Sequence, residues 1–150
     1  MRSATIEVSK DGEPGQLGEL LAAQPRGATN ALTESPDGYE ATFAVNVLAN
    51  HLFVRVLQDH FAAPARIVIT VSDTHFGDFK HNMGMVPGPV WNSPDVLARP
   101  GAFAKPSGTA GGRTAYSTSK LAAIHLVHEY ARRLPAGLDA IAYNPVRGVL

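Results

Sequence analysis

Tyr116 and Lys120, in the run Tyr116-Ser117-Thr118-Ser119-Lys120, stand four residues apart. On a helix both side chains would leave one face. The pairing has a chemical use. A phenol releases its proton near pH 10 in water, and a neighbouring ammonium stabilises the phenolate, so the tyrosine can act as acid or base closer to neutrality. The same spacing also arises wherever a helix buries a tyrosine beside a lysine stem, so context must decide. Two residues supply that context. Ser72 ends the run Arg66-Ile67-Val68-Ile69-Thr70-Val71-Ser72; the carboxyl end of a strand is where open α/β sheets place ligands, and a hydroxyl there can hydrogen-bond a carbonyl oxygen. Asn46 is polar amid Phe43, Val45, Val47 and Leu48, in a stretch that reads as mid-helix, and needs a reason to be there.

Other constellations are weaker. His125, His128 and Glu129 could face a metal from one helix, but no third ligand accompanies the histidines, so they are read as surface residues and no metal site is expected. Ser72, Asp73 and His75 have triad residue types, yet near neighbours in sequence cannot point at one another as nucleophile, base and orienter must, which argues against a hydrolase. Gly12, Gly15 and Gly18 follow an alternating strand-like segment, Ser3 to Val8, and mimic a phosphate-cradling loop. Their spacing fits neither common fingerprint, Asp11 and Glu13 would repel a pyrophosphate, and Pro14 lacks an N–H; an ordinary turn is expected.

The elements that must position these residues follow from composition and periodicity. The chain has 150 residues, 13 Lys plus Arg against 13 Asp plus Glu, no cysteine and 45% apolar residues, which describes one soluble globular domain. The absence of cysteine excludes disulfides, thiolate zinc and a catalytic thiol. Zero net charge argues against a nucleic-acid partner. No apolar run approaches the roughly 18 residues of a membrane helix, so no membrane span and a cytoplasmic location are expected. Ser35-Pro36-Asp37 supplies an N-cap, a first-turn proline and an acid, and apolar residues then recur at three- and four-residue steps to about Phe61. A strand from Arg66 to Val71, β-branched on both faces, is expected at the centre of a parallel sheet. A second helix is expected from near Thr114 to Leu134, stopped by Pro135-Ala136-Gly137, and a second strand from Leu138 to Tyr143, parallel and adjacent to the first. This rhythm is that of an α/β, doubly wound parallel sheet. Residues 76–113 hold seven glycines and five prolines and show no period. They read as a long loop, either a cover for an apolar ligand, with Met83, Met85, Val86, Val90 and Trp91, or a surface insert; Gly108, Gly111 and Gly112 supply flexibility before the tyrosine helix.

With Asn46, Ser72, Tyr116 and Lys120 in this order, the chain resembles the short-chain dehydrogenase/reductase family over roughly residues 33–145. DGYEATFAVN is similar to the family helix bearing a site asparagine, RIVITVS to the strand ending in the serine, AYSTSKLA to the Tyr-x-x-x-Lys helix, and IAYNP to the strand entering an Asn-Pro-Gly turn. The long stretch after Ser72, with Thr74-His75, most resembles the branch of protochlorophyllide reductases, retinol dehydrogenases and carbonyl reductases. The resemblance implies a partial Rossmann-like fold and hydride transfer between NAD or NADP and a small-molecule carbonyl or alcohol. Tyr116 would exchange a proton with the carbonyl oxygen, and Lys120 would lower the Tyr116 pKa and hold the nicotinamide ribose. Ser72 would polarise the carbonyl, Asn46 would hold a water linking Lys120 to solvent, and Asn144 and Pro145 would lie beside the nicotinamide. It also implies a homo-oligomer paired through the helices of residues 35–61 and 114–134.

The departures carry expectations of their own. No Thr-Gly-x-x-x-Gly-x-Gly loop is present, Thr29-Asn30-Ala31-Leu32 keeps only Asn-Ala of the expected Asn-Asn-Ala-Gly, and Val146 replaces the glycine after Pro145. The expectation is therefore a segment 1–32 of uncertain nature, its first 28 or so residues unrelated to the family, and a segment 33–150 forming the catalytic part of a longer enzyme. The alternative is a non-catalytic remnant that acts as a self-association or subunit-interaction module.

Overall fold

The computed structural model describes residues 32–104 and 108–145 of the chain. The expected strand from Ser3 to Val8, the glycines at 12, 15 and 18, the Thr29-Asn30-Ala31 remnant and Val146 lie outside them. The described residues form a mixed helix and strand structure around a two-stranded parallel sheet, compatible with a partial α/β fold. β1 (Ala65–Thr70) pairs with β2 (Leu138–Tyr143) in the register Ala65 to Leu138 and Thr70 to Tyr143. The parallel, adjacent arrangement and both strand positions match the sequence reading to within a residue.

The first helix departs from expectation at its start. α1 (Ala41–Phe43) is capped by Glu40, whose carboxylate accepts from Thr42 N at 3.1 Å and Phe43 N at 2.6 Å. Ser35-Pro36-Asp37-Gly38 closes a turn instead. Gly38 N donates to Ser35 O, Gly38 takes φ +80°, and Ser35 Oγ accepts from Tyr39 N. Serine first, proline second and glycine fourth suit a tight turn as well as they suit a helix entry, and the turn wins here. The helix runs on through a π-helical stretch, Ala44–Leu48, into α2 (Ala49–Leu57) and a final 3-10 turn, Gln58–His60.

The stretch read as structureless has structure. A 3-10 turn, Asp73–Phe76, precedes two short helices, α3 (Phe79–Asn82) and α4 (Pro94–Leu97), and the long helix α5 begins at Thr109, earlier than expected, and runs to Arg133. Gly111 and Gly112 are buried inside α5 rather than in a flexible lead-in. Between the short helices the chain is strapped along α5: Arg113 Nη1 donates to Met85 O, Val90 N donates to Thr118 Oγ1, and the Trp91 ring lies 4.6 Å from that of His125. Periodicity cannot reveal such a strap, because backbone groups and isolated side chains hold it.

α5 is the spine of the molecule. Its Ala115 and Ala122 join Phe43, Val47, Leu97, Ala98 and Phe103 in one apolar cluster. Its Ala123, Val127 and Tyr130 join Val54, Ile67, Ile69 and Val71 in the other. Small residues on α5 let the asparagine helix and the sheet approach it closely, as interior packing density requires. Only one face of the sheet is covered among the described residues: Val68 and Ile141 are 42% and 38% exposed. The expectation of a strand buried on both faces is therefore not met here; that other face carries the bidentate Arg66–Asp139 pair, an exposed ion pair of small energetic weight.

Candidate functional site

Two parallel strands joined by a helix force that helix to return from their carboxyl ends to their amino ends. Gly137 O, just beyond α5, accordingly accepts from Ala65 N at the amino end of β1. At the other end, Lys120 Nζ donates to Thr70 O, the last residue of β1, at 3.0 Å. From that fixed point, Tyr116 is four residues back along α5, about 6 Å at the helical rise. Ser72 is two residues on from Thr70, about 6.6 Å at the strand rise. Both steps lead the same way, past the carboxyl edge of the sheet, and the turn Asp73–Phe76 that follows Ser72 packs on α5.

Lys120 is 2% exposed. Burial lowers its pKa from 10.5 to about 8, because a desolvated ammonium loses the hydration that favours it. Its Nζ lies 5.6 Å from the Tyr116 ring centroid, within cation–π reach. Tyr116 is half-buried, one turn before it.

Asn46 sits in the middle of the π-helical stretch. Such stretches occur where a helix has one residue too many for its register, and they re-aim side chains. Asn46 is buried, and its Nδ2 donates to Ser119 Oγ at 2.9 Å; Ser119 Oγ in turn donates to Tyr116 O at 2.7 Å. Asn50 Nδ2 donates to Asn46 O at 2.7 Å. The polar residue that the sequence left without a reason is thus joined to the turn of α5 between Tyr116 and Lys120.

Ser72 is buried with extended backbone. Its Oγ accepts from Thr74 N at 3.4 Å, and its carbonyl faces His75 Nδ1 at 2.5 Å. A carbonyl only accepts, so His75 carries its proton on Nδ1 there. Asn144 follows β2 at the same edge, and its amide donates to Asp73 Oδ1. Pro145 follows, exposed.

Of the six sequence-predicted residues, Asn46 is joined to α5 through Ser119, Lys120 to the end of β1 through Thr70 O, and Asn144 to the turn after Ser72 through Asp73. Sequence reasoning missed the Thr70 carbonyl, Ser119 and Asp73. A backbone acceptor has no sequence signal. Ser119 was visible only as the third small polar residue of the Tyr-x-x-x-Lys run, and Asp73 only as the neighbour of Ser72. His125 and His128 are exposed and the His125 ring packs at a tilt against Trp91; no group of metal-binding side chains is found among the described residues. No described helix is long and apolar enough to cross a membrane.

No protein-family profile matches the chain, and no solved structure matches it. Curated proteins do. It is 33% identical over 116 residues to the human WW domain-containing oxidoreductase, and 32% identical over the same length to the protein of that name from Pongo abelii. It is 32% identical over 127 residues to the putative daunorubicin C-13 ketoreductase DnrU of Streptomyces sp. (strain C5). These matches take in 73% and 85% of the chain but 24% and 37% of the relatives. The chain thus spans between a quarter and two fifths of the length of these proteins, and over most of its own length it is similar to proteins named for oxidoreductase activity.

Proposed function

We propose that the chain is the catalytic part, residues 33–150, of an oxidoreductase of the short-chain dehydrogenase/reductase type, with a Rossmann-like sheet, acting between a carbonyl or alcohol and NAD or NADP. The observation that carries the reading is the Lys120–Thr70 bond, which holds a buried amine one helical turn from Tyr116 at the carboxyl edge of a parallel sheet. The similarity to named oxidoreductases and a ketoreductase supports it. The long stretch after Ser72 supports the branch of protochlorophyllide reductases, retinol dehydrogenases and carbonyl reductases.

In this reading Tyr116 donates a proton to a carbonyl oxygen in reduction and takes it back in oxidation. Ser72 Oγ hydrogen-bonds the same oxygen and orients it. Lys120 keeps positive charge beside the phenol: with a pKa of about 8 it is mostly protonated at pH 7. Asn46 acts as a positioning residue through Ser119, and holds a water on the path from Lys120 to solvent. The donor set suits the nicotinamide end of a dinucleotide, since an ammonium has three N–H groups and Thr70 O takes one. Lys120 and Tyr116 would hold ribose hydroxyls, with Asn144 and Pro145 alongside the ring. The cofactor, when bound, supplies the hydride.

The test is a titration of the isotopically labelled 150-residue chain with NADPH and NADH into the millimolar range, followed by amide NMR. Fast-exchange shifts gathered at Ser72, Tyr116, Lys120 and Asn144, and diminished in Lys120→Met, are expected. Shifts centred elsewhere, or none, would remove the reading.

A second reading is a self-association module, with or without activity. Leu52 and Val56, one turn apart on α2, are 63% and 62% exposed and share one face of the helix. The partner in this reading is a second copy, through residues 35–61 and 114–134. Sedimentation of the wild-type chain and of Leu52→Arg/Val56→Arg decides it: a dimer lost in the variant supports pairing, and a monomer at all concentrations rules it out.

A further inference from the structure

We infer that the cleft between α2 and the carboxyl end of α5 binds a carboxylate carried on an apolar body, at a site separate from the Ser72–Tyr116 edge. The cleft encloses about 560 Å3. Small-molecule sites occupy roughly 300–1,000 Å3. From α2 the cleft takes His51 and Arg55, one helical turn apart and on one face. From α5 it takes Leu126 and Tyr130, again one turn apart, and the chain that follows adds Leu134 and Pro135. Tyr130 stands ten residues beyond Lys120 on the same helix, about 15 Å at the helical rise. The cleft and the Tyr116 site therefore share a helix but no residue.

The polar groups of the cleft suit an anion. Tyr130 is 7% exposed. Burial pushes its pKa up to about 12, against the pull of the nearby Arg55 guanidinium, so the phenol is a neutral donor at pH 7. His51 Nδ1 stands 2.8 Å from the Tyr130 hydroxyl, whereas the hydroxyl's contact with His51 O, at 3.4 Å, is long for an O–H donor. Whichever ring nitrogen carries the proton, this pair keeps a polar hydrogen that the shared bond does not consume: the phenolic O–H when Nδ1 is protonated, and Nε2–H when it is not. Arg55 has Gln58 Oε1 as its partner, at 3.4 Å, while Arg66, Arg99, Arg132 and Arg133 each hold a carboxylate. Glu129, the carboxylate of the lining, is gripped by both Arg132 and Arg133, which hold its pKa below the ordinary value. Its charge is matched, and that of Arg55 is left for a ligand. The rest of the wall is apolar. Leu126 and Leu134 are half-buried against the cluster of Val54, Ile67 and Val127, so they offer a fixed surface to methylenes. A guanidinium without a carboxylate, beside such a surface, matches an organic carboxylate better than an inorganic anion or a neutral body.

The experiment uses the full 150-residue chain, isotopically labelled, with sodium octanoate, sodium butyrate and neutral 1-octanol as probes and NMR as the readout. Saturable octanoate shifts gathered at His51, Arg55, Leu126 and Tyr130 are expected. Each buried methylene is worth roughly fourfold in affinity, so butyrate should bind far more weakly. Octanol, which lacks the charge, should leave these signals unmoved at equal concentration. Arg55→Gln should weaken octanoate at least about tenfold, through loss of a charge-assisted hydrogen bond, and Arg55→Lys should keep part of the affinity. Arg66→Gln removes the same charge from the uncovered sheet face and should leave the affinity as it was. Circular dichroism of these variants should match the wild type, since both arginines are exposed. Absence of saturable shifts, shifts centred outside the cleft, equal binding of octanol, or equal losses in Arg55→Gln and Arg66→Gln would overturn the inference. Cleft signals that follow protein concentration without any probe, and that octanoate leaves unmoved, would mean that a second copy fills the cleft, which overturns it too.

Discussion

Asn46 Nδ2 donates to Ser119 Oγ across the space between the asparagine helix and α5, 73 residues apart in sequence. Both residues are almost fully buried, so bulk solvent cannot readily replace the bond if either partner goes. A buried amide that loses its partner costs about 1–3 kcal/mol. Asn46→Leu should also disturb the π-helical register that presents it. We expect Asn46→Ala and Ser119→Ala each to lower stability by about 1–2 kcal/mol, with a coupling energy near 1 kcal/mol in the double-mutant cycle. Additive losses in urea denaturation would mean the bond does not form in solution.

Lys120 makes stability depend on pH. Its folded pKa of about 8 lies below the ordinary 10.5, so between those values the unfolded chain binds more protons than the folded one. Stability must then rise with pH through that window, by an amount on the order of 3 kcal/mol if the window were fully crossed. Tyr130 works the other way. Burial pushes its pKa from 10 up to about 12, so the folded chain holds a proton that the unfolded one gives up, and stability falls above pH 10. The expected profile climbs from pH 8 to about 10 and then declines. In Lys120→Met the climb should vanish, and in Tyr130→Phe the decline should. Urea midpoints taken across this range provide the check, and a climb that survives Lys120→Met would refute the assignment.

Glu40, not Ser35, starts the asparagine helix. Its carboxylate accepts from two otherwise unpaired N–H groups, and its own N–H donates to Ala98 O at the end of α4. Loss of an N-cap costs about 0.5–2 kcal/mol. Glu40→Ala should reach the top of that range, because the capped groups are buried. Ser35→Ala removes one exposed bond to Tyr39 N and should stay within about 0.5 kcal/mol. If Ser35→Ala proves the more damaging, the helix begins where the sequence alone would have put it.

That contrast marks what the sequence could and could not disclose. Both strands and the tyrosine helix were legible because β-branched runs and a long helical period are local signals. The order Asn46, Ser72, Tyr116, Lys120 was legible because each sits on such an element. The helix start was not, since Ser35-Pro36-Asp37 fits two local structures and the Ala98 carbonyl, 58 residues from Glu40, helps decide between them. The strap of residues 83–91 was hidden for the same reason: Thr118 Oγ1 and the Arg113 side chain hold it from a distant helix. Lys120 read as a partner for Tyr116, whereas its clearest bond is to a backbone oxygen that no residue type could announce.

The most exacting prediction concerns cofactor affinity. Nothing in the 150 residues matches a Thr-Gly-x-x-x-Gly-x-Gly loop, whose backbone donors and helix amino-terminus favour a pyrophosphate. Lys120 and Asn144 address only the nicotinamide end. Holding a hydride donor and a carbonyl in near-attack geometry can account for about 7–11 kcal/mol of barrier, and a loosely held dinucleotide forfeits most of it however well Tyr116 is placed. The chain by itself should therefore hold NAD(H) and NADP(H) only in the millimolar range, too weakly to register in calorimetric titration at micromolar concentration, and reduce carbonyls at or near the background rate. Micromolar binding that disappears in Lys120→Met would prove this wrong. It would also mean that the edge formed by Thr70, Ser72, Tyr116, Lys120 and Asn144 grips a whole dinucleotide without the glycine loop.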